Sequence, residues 1–327
     1  MESVEVSGAR RSALLFCLLL AILGAWWTAE RARKIDDEID AALAGDQTRM
    51  LAVRREALWG SKRYDETGFV RMEPPRKGEW LARIPEPGQT FTEYTHDCRN
   101  RLAKGREMIA LRPLGPLTPR ARAVIEPIRG FCAAFFGTEV RLLEELPLPD
   151  STFQKDRNQY DVTPLLAFLD AERGPDELVH AGILDRDLCW VGQLPNFCFG
   201  GASLDRPVGV YSVHRFGLGV VPEPLYRKRA FQLVAHELGH ILGMKHCIYY
   251  RCLMNGANSL EESDGTPCHL CPVCEKKLRW NLGVERRPRE LALAKVFRQE
   301  GLVEEAEWAE ARADKAGVAA NAVSTGK

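Results

Sequence analysis

Twelve residues, His236-Glu237-Leu238-Gly239-His240-Ile241-Leu242-Gly243-Met244-Lys245-His246-Cys247, limit what this chain can fold into more than any other stretch. On a helix, residues four apart project from one face, one turn above the other, so His236 and His240 can present two imidazoles to a single ion. Gly243 falls where the chain must leave that helix, in a conformation that a Cβ would resist, so that His246 can return as a third nitrogen ligand. Three protein ligands with one position left for water is the catalytic zinc pattern, in which the pKa of the water falls to about 7. Glu237, between the two helical histidines, then stands where a general base can take the proton. A bare HExxH can arise by chance on a polar helix. Two further specified residues in register argue against a purely structural reading.

HExxHxxGxxH is the signature of the metzincin peptidases, in which a methionine turn follows. Here the third histidine is followed directly by Cys247, then by Cys252, Met254, Cys271 and Cys274. That order resembles the archaemetzincins, whose pattern is HExxHxxGxxHC, four residues, Cys, one residue, Met, a gap and CxxC. The resemblance extends from about residue 106 to 315 and is strongest between Asp185 and Cys274. It departs from the family in two places. Sixteen residues separate Met254 from Cys271, one fewer than the family spacing, and Cys268-His269-Leu270-Cys271 offers a rival CxxC. The register of the second pair is therefore open; Cys271 and Cys274 are the pair whose distance from Met254 better fits the family, so the resemblance leaves Cys268 spare.

The resemblance implies an α+β fold: a metzincin-like catalytic domain with a mixed twisted sheet, a long active-site helix and a small Cys-rich zinc subdomain, plus a C-terminal helical pair. It implies two zinc ions per chain, a catalytic one on His236, His240 and His246 and a structural one on Cys247, Cys252, Cys271 and Cys274. Met254 would form a floor beneath the first ion. An edge strand in the region just before the active-site helix would line the cleft and pair with extended substrate.

The cysteines support part of this directly. Five of the ten lie in the twenty-eight residues from Cys247 to Cys274, a density that suits a closed four-cysteine zinc site. Disulfides in an exported domain are the competing reading, although CxxC pairs close loops too short to stabilise much. Cys17, Cys98, Cys132, Cys189 and Cys198 show no ligand spacing and read as small buried apolar residues. Among the other histidines, His96, His180 and His214 read as surface or satisfied core, and only His269 could stand in for a thiolate.

Outside the motif, composition excludes more than it suggests. Forty-five basic and forty-five acidic residues give a formal net charge of zero, with no basic stripe, so nucleic acid is not an expected partner and a peptide or protein is. Ser12 to Ala29 is an uncharged run of eighteen residues flanked by basic residues, just long enough to cross a bilayer. A cut after Ala29 would put Trp27 where signal peptidase wants a small side chain, so the run reads as an uncleaved anchor in place of a signal peptide. The expectation is a single-pass membrane protein whose orientation stays open, since basic residues flank both ends alike.

Residues 1–11 then form a tail, 12–29 the anchor, 30–105 a charged spacer and Pro/Gly-rich lead-in, 106–282 the catalytic domain and 283–327 a helical extension. Within the lead-in, Gly78 to Phe91 is similar to a segment of the longer archaemetzincins. From residue 106 apolar periodicity alternates: strand at Met108–Leu111, helix at Pro119–Phe136, strand at Glu139–Leu146, helix at Pro164–Arg173, strand at Leu178–Leu184. Leu188–Ala202 reads as turn, Val208–Phe216 as a strand and Leu225–Leu242 as the active-site helix. Two helices around Gly301 end the chain, followed by a disordered last dozen residues.

The expected function is zinc-dependent hydrolysis of peptide bonds through an activated water with Glu237 as general base. The alternative is a non-catalytic zinc protein, either a peptide-recognition module or an adaptor. Glu237 weighs against it, because binding the metal needs only the histidines.

Overall fold

Strand and helix alternate from Met108 onward to build one main sheet, and the order of its strands decides where the active-site helix lies. In the computed structural model, residues 49–192, 197–203 and 206–324 are described, with side chains as far as residue 315. Residues 49–60, which are helical, belong with Pro85–Pro87 to one unit; Ser61–Ile84 and the chain from Gly88 onward form a second, which holds everything that follows. The strands are β1 Met108–Gly115, β2 Val140–Leu142, β3 Leu146–Pro147, β4 Phe153–Gln154, β5 Gln159–Asp161, β6 Glu177–Leu184, β7 Leu188–Cys189, β8 Gly200–Ala202 and β9 Val208–Ser212. The helices are α1 Trp80–Arg83, α2 Phe91–Asp97, α3 Pro119–Phe136, α4 Val162–Ala171, α5 Glu223–Ile241, α6 Leu260–Asp264, α7 Pro272–Leu282, α8 Arg286–Gln299 and α9 Val303–Ser324.

The main sheet runs β2-β1-β6-β9-β8, with β3 also beside β1; every pairing is parallel except β8 with β9. β6 is buried at all eight positions, as expected of a parallel strand covered on both faces. Strand alternation sorts those faces on β9. Val208 and Val210 enter an apolar cluster with Leu165, Leu166 and Leu169 of α4. Gly209 faces α5 instead, where a Cβ would come within 3.0 Å of Ile241 Cδ1. The helix that carries the histidines thus lies on the face opposite α4. Phe231 of α5 also stacks on Phe131 of α3, with ring centroids 4.5 Å apart and planes 5° apart, and Phe297 of α8 reaches Phe131 at 5.8 Å. Three helices are locked together by those rings.

α3 begins where expected, with Thr118 accepting from the Ala121 amide and Pro119 in the first turn, and it ends at Gly137 in the left-handed region. The strand expected at Glu139–Leu146 is instead two short pieces, both alongside β1. The break falls where Glu145 turns to pair with Arg122 at 2.7 Å and the Glu144 carbonyl accepts from Arg112 at 3.1 Å.

Two expectations are overturned. The strand before α5 covers Val208–Ser212 and is internal, with β6 on one side and β8 on the other; β8, from a stretch read as turn, ends the sheet. Its glycines serve close packing: a Cβ on Gly201 would come within 2.4 Å of Trp190 and 2.7 Å of Val162. The single-pass membrane protein is also corrected. Ser12–Ala29 lies outside the described residues, and no helix among them is long and apolar enough to cross a membrane. The long helices α5 and α9 are interrupted by charge, at Glu223, Arg227, Lys228 and Arg229 in the one and at Glu304, Glu305, Glu307 and Glu310 in the other.

Truncating Phe231 removes the ring that joins α5 to α3 and leaves a cavity among three helices. Phe231→Ala is expected to lower unfolding stability by about 3–5 kcal/mol, read as a lower midpoint in denaturant titration with an unchanged slope.

Candidate metal centre

α5 ends in a way that turns the chain straight back on itself. Ile241 is its last residue, and Gly243 follows at φ +85°, which a side chain would strain. The Gly243 amide donates to the His240 carbonyl and the Met244 amide to the Gly239 carbonyl, both at 2.9 Å, which is the Schellman arrangement. Two residues on, His246 faces the helix it has just left. Its ring centroid is 5.2 Å from that of His236 and 4.8 Å from that of His240, and the ligand nitrogens of the three lie within 4.8 Å of one another.

Two of the rings are held by their far nitrogens. His236 Nδ1 donates to the Leu253 carbonyl at 2.8 Å and His240 Nδ1 to the Met244 carbonyl at 2.7 Å, which leaves each Nε2 as a lone pair aimed inward. Those two Nε2 atoms are 3.0 Å apart, close to the roughly 3.3 Å that two nitrogens span on a tetrahedral zinc with bonds of about 2.0–2.1 Å. Burial, then the facing His240 and His246, hold the His236 imidazole well below its ordinary value and so neutral, the form a metal requires. Burial pushes the Glu237 carboxyl up to about 7, against a smaller opposing effect of His246. A carboxyl so poised can both take and return a proton near neutral pH. Beneath the helix, Met254 packs against Gly239, where a Cβ would come within 2.6 Å of its sulfur.

The second cluster begins one residue later. Cys247, Cys252, Cys271 and Cys274 bring their sulfurs within 4.8 Å of one another, all buried. The Cys247 and Cys271 sulfurs are 3.6 Å apart, far beyond a disulfide bond and near the about 3.8 Å of two thiolates at about 2.3 Å on a tetrahedral zinc. The described cysteines are all free, so the disulfide reading finds no support. Backbone amides of Met254 and Cys271 donate to Cys252 Sγ, and that of Cys274 to Cys271 Sγ. Burial works against ionising Cys247, but hydrogen bonds from Cys252, Cys271 and Cys274 outweigh it and hold that thiol well below its usual value; burial pushes Cys252 and Cys271 well above theirs. Four buried sulfurs can ionise together only around a cation at their centre, so this donor set fits a dication.

Cys268 stands apart. Its amide donates to Glu305, and burial raises its thiol well above the usual range. His269 also lies off the cluster, stacked face to face on Trp308 with centroids 3.5 Å apart. His180 is a satisfied core histidine, 2.7 Å from Glu177.

Other residues of the site carry no motif. Asn255, buried just after Met254, accepts from the Cys252 amide at 2.8 Å and donates to the carbonyls of Cys247 and Tyr250 at 2.7 and 3.0 Å, closing the turn between the two clusters. Tyr250, which follows the third histidine closely, is engaged elsewhere, with its hydroxyl donating to Glu66 at 3.0 Å. Asparagine is too common for its type alone to mark such a role.

Residues 149–280 match Peptidase family M54. Archaemetzincin-2 of Rattus norvegicus is 31% identical to this chain over 260 residues, covering 67% of this chain and 72% of that protein. The archaemetzincin of Archaeoglobus fulgidus is 32% identical over 165 residues, covering 50% of this chain and 96% of its own length. The chain belongs to the archaemetzincins. It is a zinc metallopeptidase, as the family implies. The crystal structure of archaemetzincin from Methanopyrus kandleri, at 28% identity, covers 56% of this chain and 99% of that chain with a TM-score of 0.48.

In this archaemetzincin the geometry sets the two CxxC registers apart. Cys271→Ser is expected to abolish metal binding by the sulfur cluster, and Cys268→Ser to leave it intact. Metal counting by native mass spectrometry decides; the reverse pattern would assign the cluster to Cys268.

Proposed function

We propose that the chain hydrolyses peptide bonds at a zinc ion held by His236, His240 and His246, with Glu237 as general base, and that Cys247, Cys252, Cys271 and Cys274 hold a second, structural zinc. Two zinc ions per chain follow. What carries the reading is the convergence of three imidazoles, two of them with their outer nitrogens tied to backbone carbonyls, beside a carboxyl poised near neutrality. The ion, when bound, supplies Lewis-acid chemistry, polarising the scissile carbonyl and acidifying a water.

The chain's own residues do the rest. His236 and His240 each present one nitrogen and spend the other on a carbonyl, so their rings cannot swing away from the centre. Glu237 takes a proton from the attacking water and returns it to the leaving amine, which one carboxyl can do because burial has brought its pKa near neutrality. An extended peptide running beside β8, the strand that ends the sheet, would gain backbone hydrogen bonds by strand addition. The four-cysteine site closes the chain that returns from His246 to Met254.

A zinc protein that only binds peptides needs the histidines and has no use for a carboxyl between them. Glu237→Ala separates the two readings. It is expected to keep its metal and to lose at least about a hundredfold in turnover on a cleavable peptide, the scale of general-base removal. Near-native turnover with metal retained would end the assignment of Glu237.

A further inference from the structure

The turn Leu242–His246 delivers the third imidazole, yet side chains from more than a hundred positions upstream hold it in place. The Tyr94 hydroxyl donates to the Leu242 carbonyl at 2.8 Å. Gln89, buried, donates from Nε2 to the Gly243 carbonyl at 3.2 Å and accepts at Oε1 from the Lys245 amide at 3.2 Å. Trp80 then meets His246 itself, edge to face, with ring centroids 5.3 Å apart and planes at 80°. Three side chains thus engage four of the five residues of the turn.

Each is fixed from behind. Lys277 of α7 donates to Gln89 Oε1 at 3.0 Å, and Asn281, one helical turn on, donates to the Tyr94 oxygen at 2.8 Å. The Trp80 amide donates to Glu262 at 2.8 Å, and the indole lies on Gly256, where a Cβ would come within 2.4 Å of its Cδ1. Glu262 also accepts from the Asn258 amide at 2.7 Å, so the same carboxylate ties Trp80 to the loop after Met254. Helix α7 begins at Cys271 and Cys274, so one rigid element joins the sulfur cluster to the residues that grip the turn.

We propose that Trp80 and Gln89 are positioning residues of the histidine metal site: they hold the Leu242–His246 turn where His246 can meet His236 and His240. Both lie outside residues 149–280, the part of the chain that matches the peptidase family. The inference rests on the metal-site reading given above. A catalytic constellation must be held to within about 0.5 Å, and the clamp adds side-chain hydrogen bonds and a ring contact on His246 to the bonds that the turn makes with its own helix. Loss of such outer partners costs about 10–100-fold in metal affinity elsewhere.

The test uses the full chain with Gln89→Leu, Trp80→Ala, Trp80→Phe and, as reference, His246→Ala. Zinc per chain is counted by native mass spectrometry, the histidine-site affinity is read by chelator titration, and thermal unfolding reports stability. Gln89→Leu and Trp80→Ala are expected to retain the cysteine-site zinc and to bind the histidine-site zinc at least about tenfold more weakly. Trp80→Phe, which keeps an aromatic edge on His246, should recover most of that loss, a rescue that general destabilisation does not predict. Trp80 is only partly buried, so its variants decide the matter even where Gln89→Leu fails to fold. Wild-type affinity in Trp80→Ala overturns the proposal. If His246→Ala itself leaves the histidine-site affinity unchanged, the metal-site reading falls first, and the clamp with it.

Discussion

The left-handed turn at Gly243 is the constraint on which the rest of the site depends. A helix cannot supply a third ligand to an ion already held by residues one turn apart, because its next residues on that face lie a further turn away. The chain has to stop and come back within a few residues. Gly243 lets it do so without strain, and the two closing hydrogen bonds satisfy carbonyls that the helix end would otherwise leave bare. The Met244 carbonyl, exposed by the same turn, accepts from His240 Nδ1. The turn that positions the third histidine therefore also orients the second.

Sequence adjacency does the next part of the work. His246 faces one cluster and Cys247 the other, so neither can shift without moving its neighbour. Between them and Met254, Asn255 bridges the chain with three hydrogen bonds, and the Leu253 carbonyl within that span orients His236. A metal on the sulfurs would contribute folding free energy to this loop, as structural zinc does in small domains. The segment from Cys247 to Cys274 has few regular elements, with only α6 and the start of α7, so such a cross-link supplies order that the backbone ladder does not.

The sheet acts at one remove. Alternation along β9 gives valines to α4 and a glycine to the opposite face, where the missing side chain makes room first for the Tyr211 ring and then for Ile241 of the histidine helix. The aromatic stack of Phe131 on Phe231 ties the same helix to α3. Between these contacts α5 has little freedom to slide, and Glu237 stays enclosed enough for burial to raise its carboxyl. The packing of an apolar core thus reaches the chemistry through the position of a single helix.

The twelve residues from His236 to Cys247 determined, from spacing alone, which imidazoles could converge and where the helix would end. Periodicities of 3.6 and 2 are local, and a local rule is enough to place residues that lie within a dozen positions of one another. The family resemblance favoured Cys271 and Cys274, and spacing by itself could not exclude Cys268, because both registers are CxxC; the tertiary structure separates them by bringing one set of sulfurs together and sending Cys268 toward Glu305. The sheet edge was not legible either. Gly200 and Gly201 read as turn residues when they are glycines because neighbouring side chains leave no room for a Cβ, and sequence does not display its neighbours in space. For the same reason Gln89 and Tyr94, 154 and 148 positions from the carbonyls they hold, carry no signal along the chain. Only the fold makes them part of the site, since hydrogen bonding acts over about 3 Å whatever the separation in sequence.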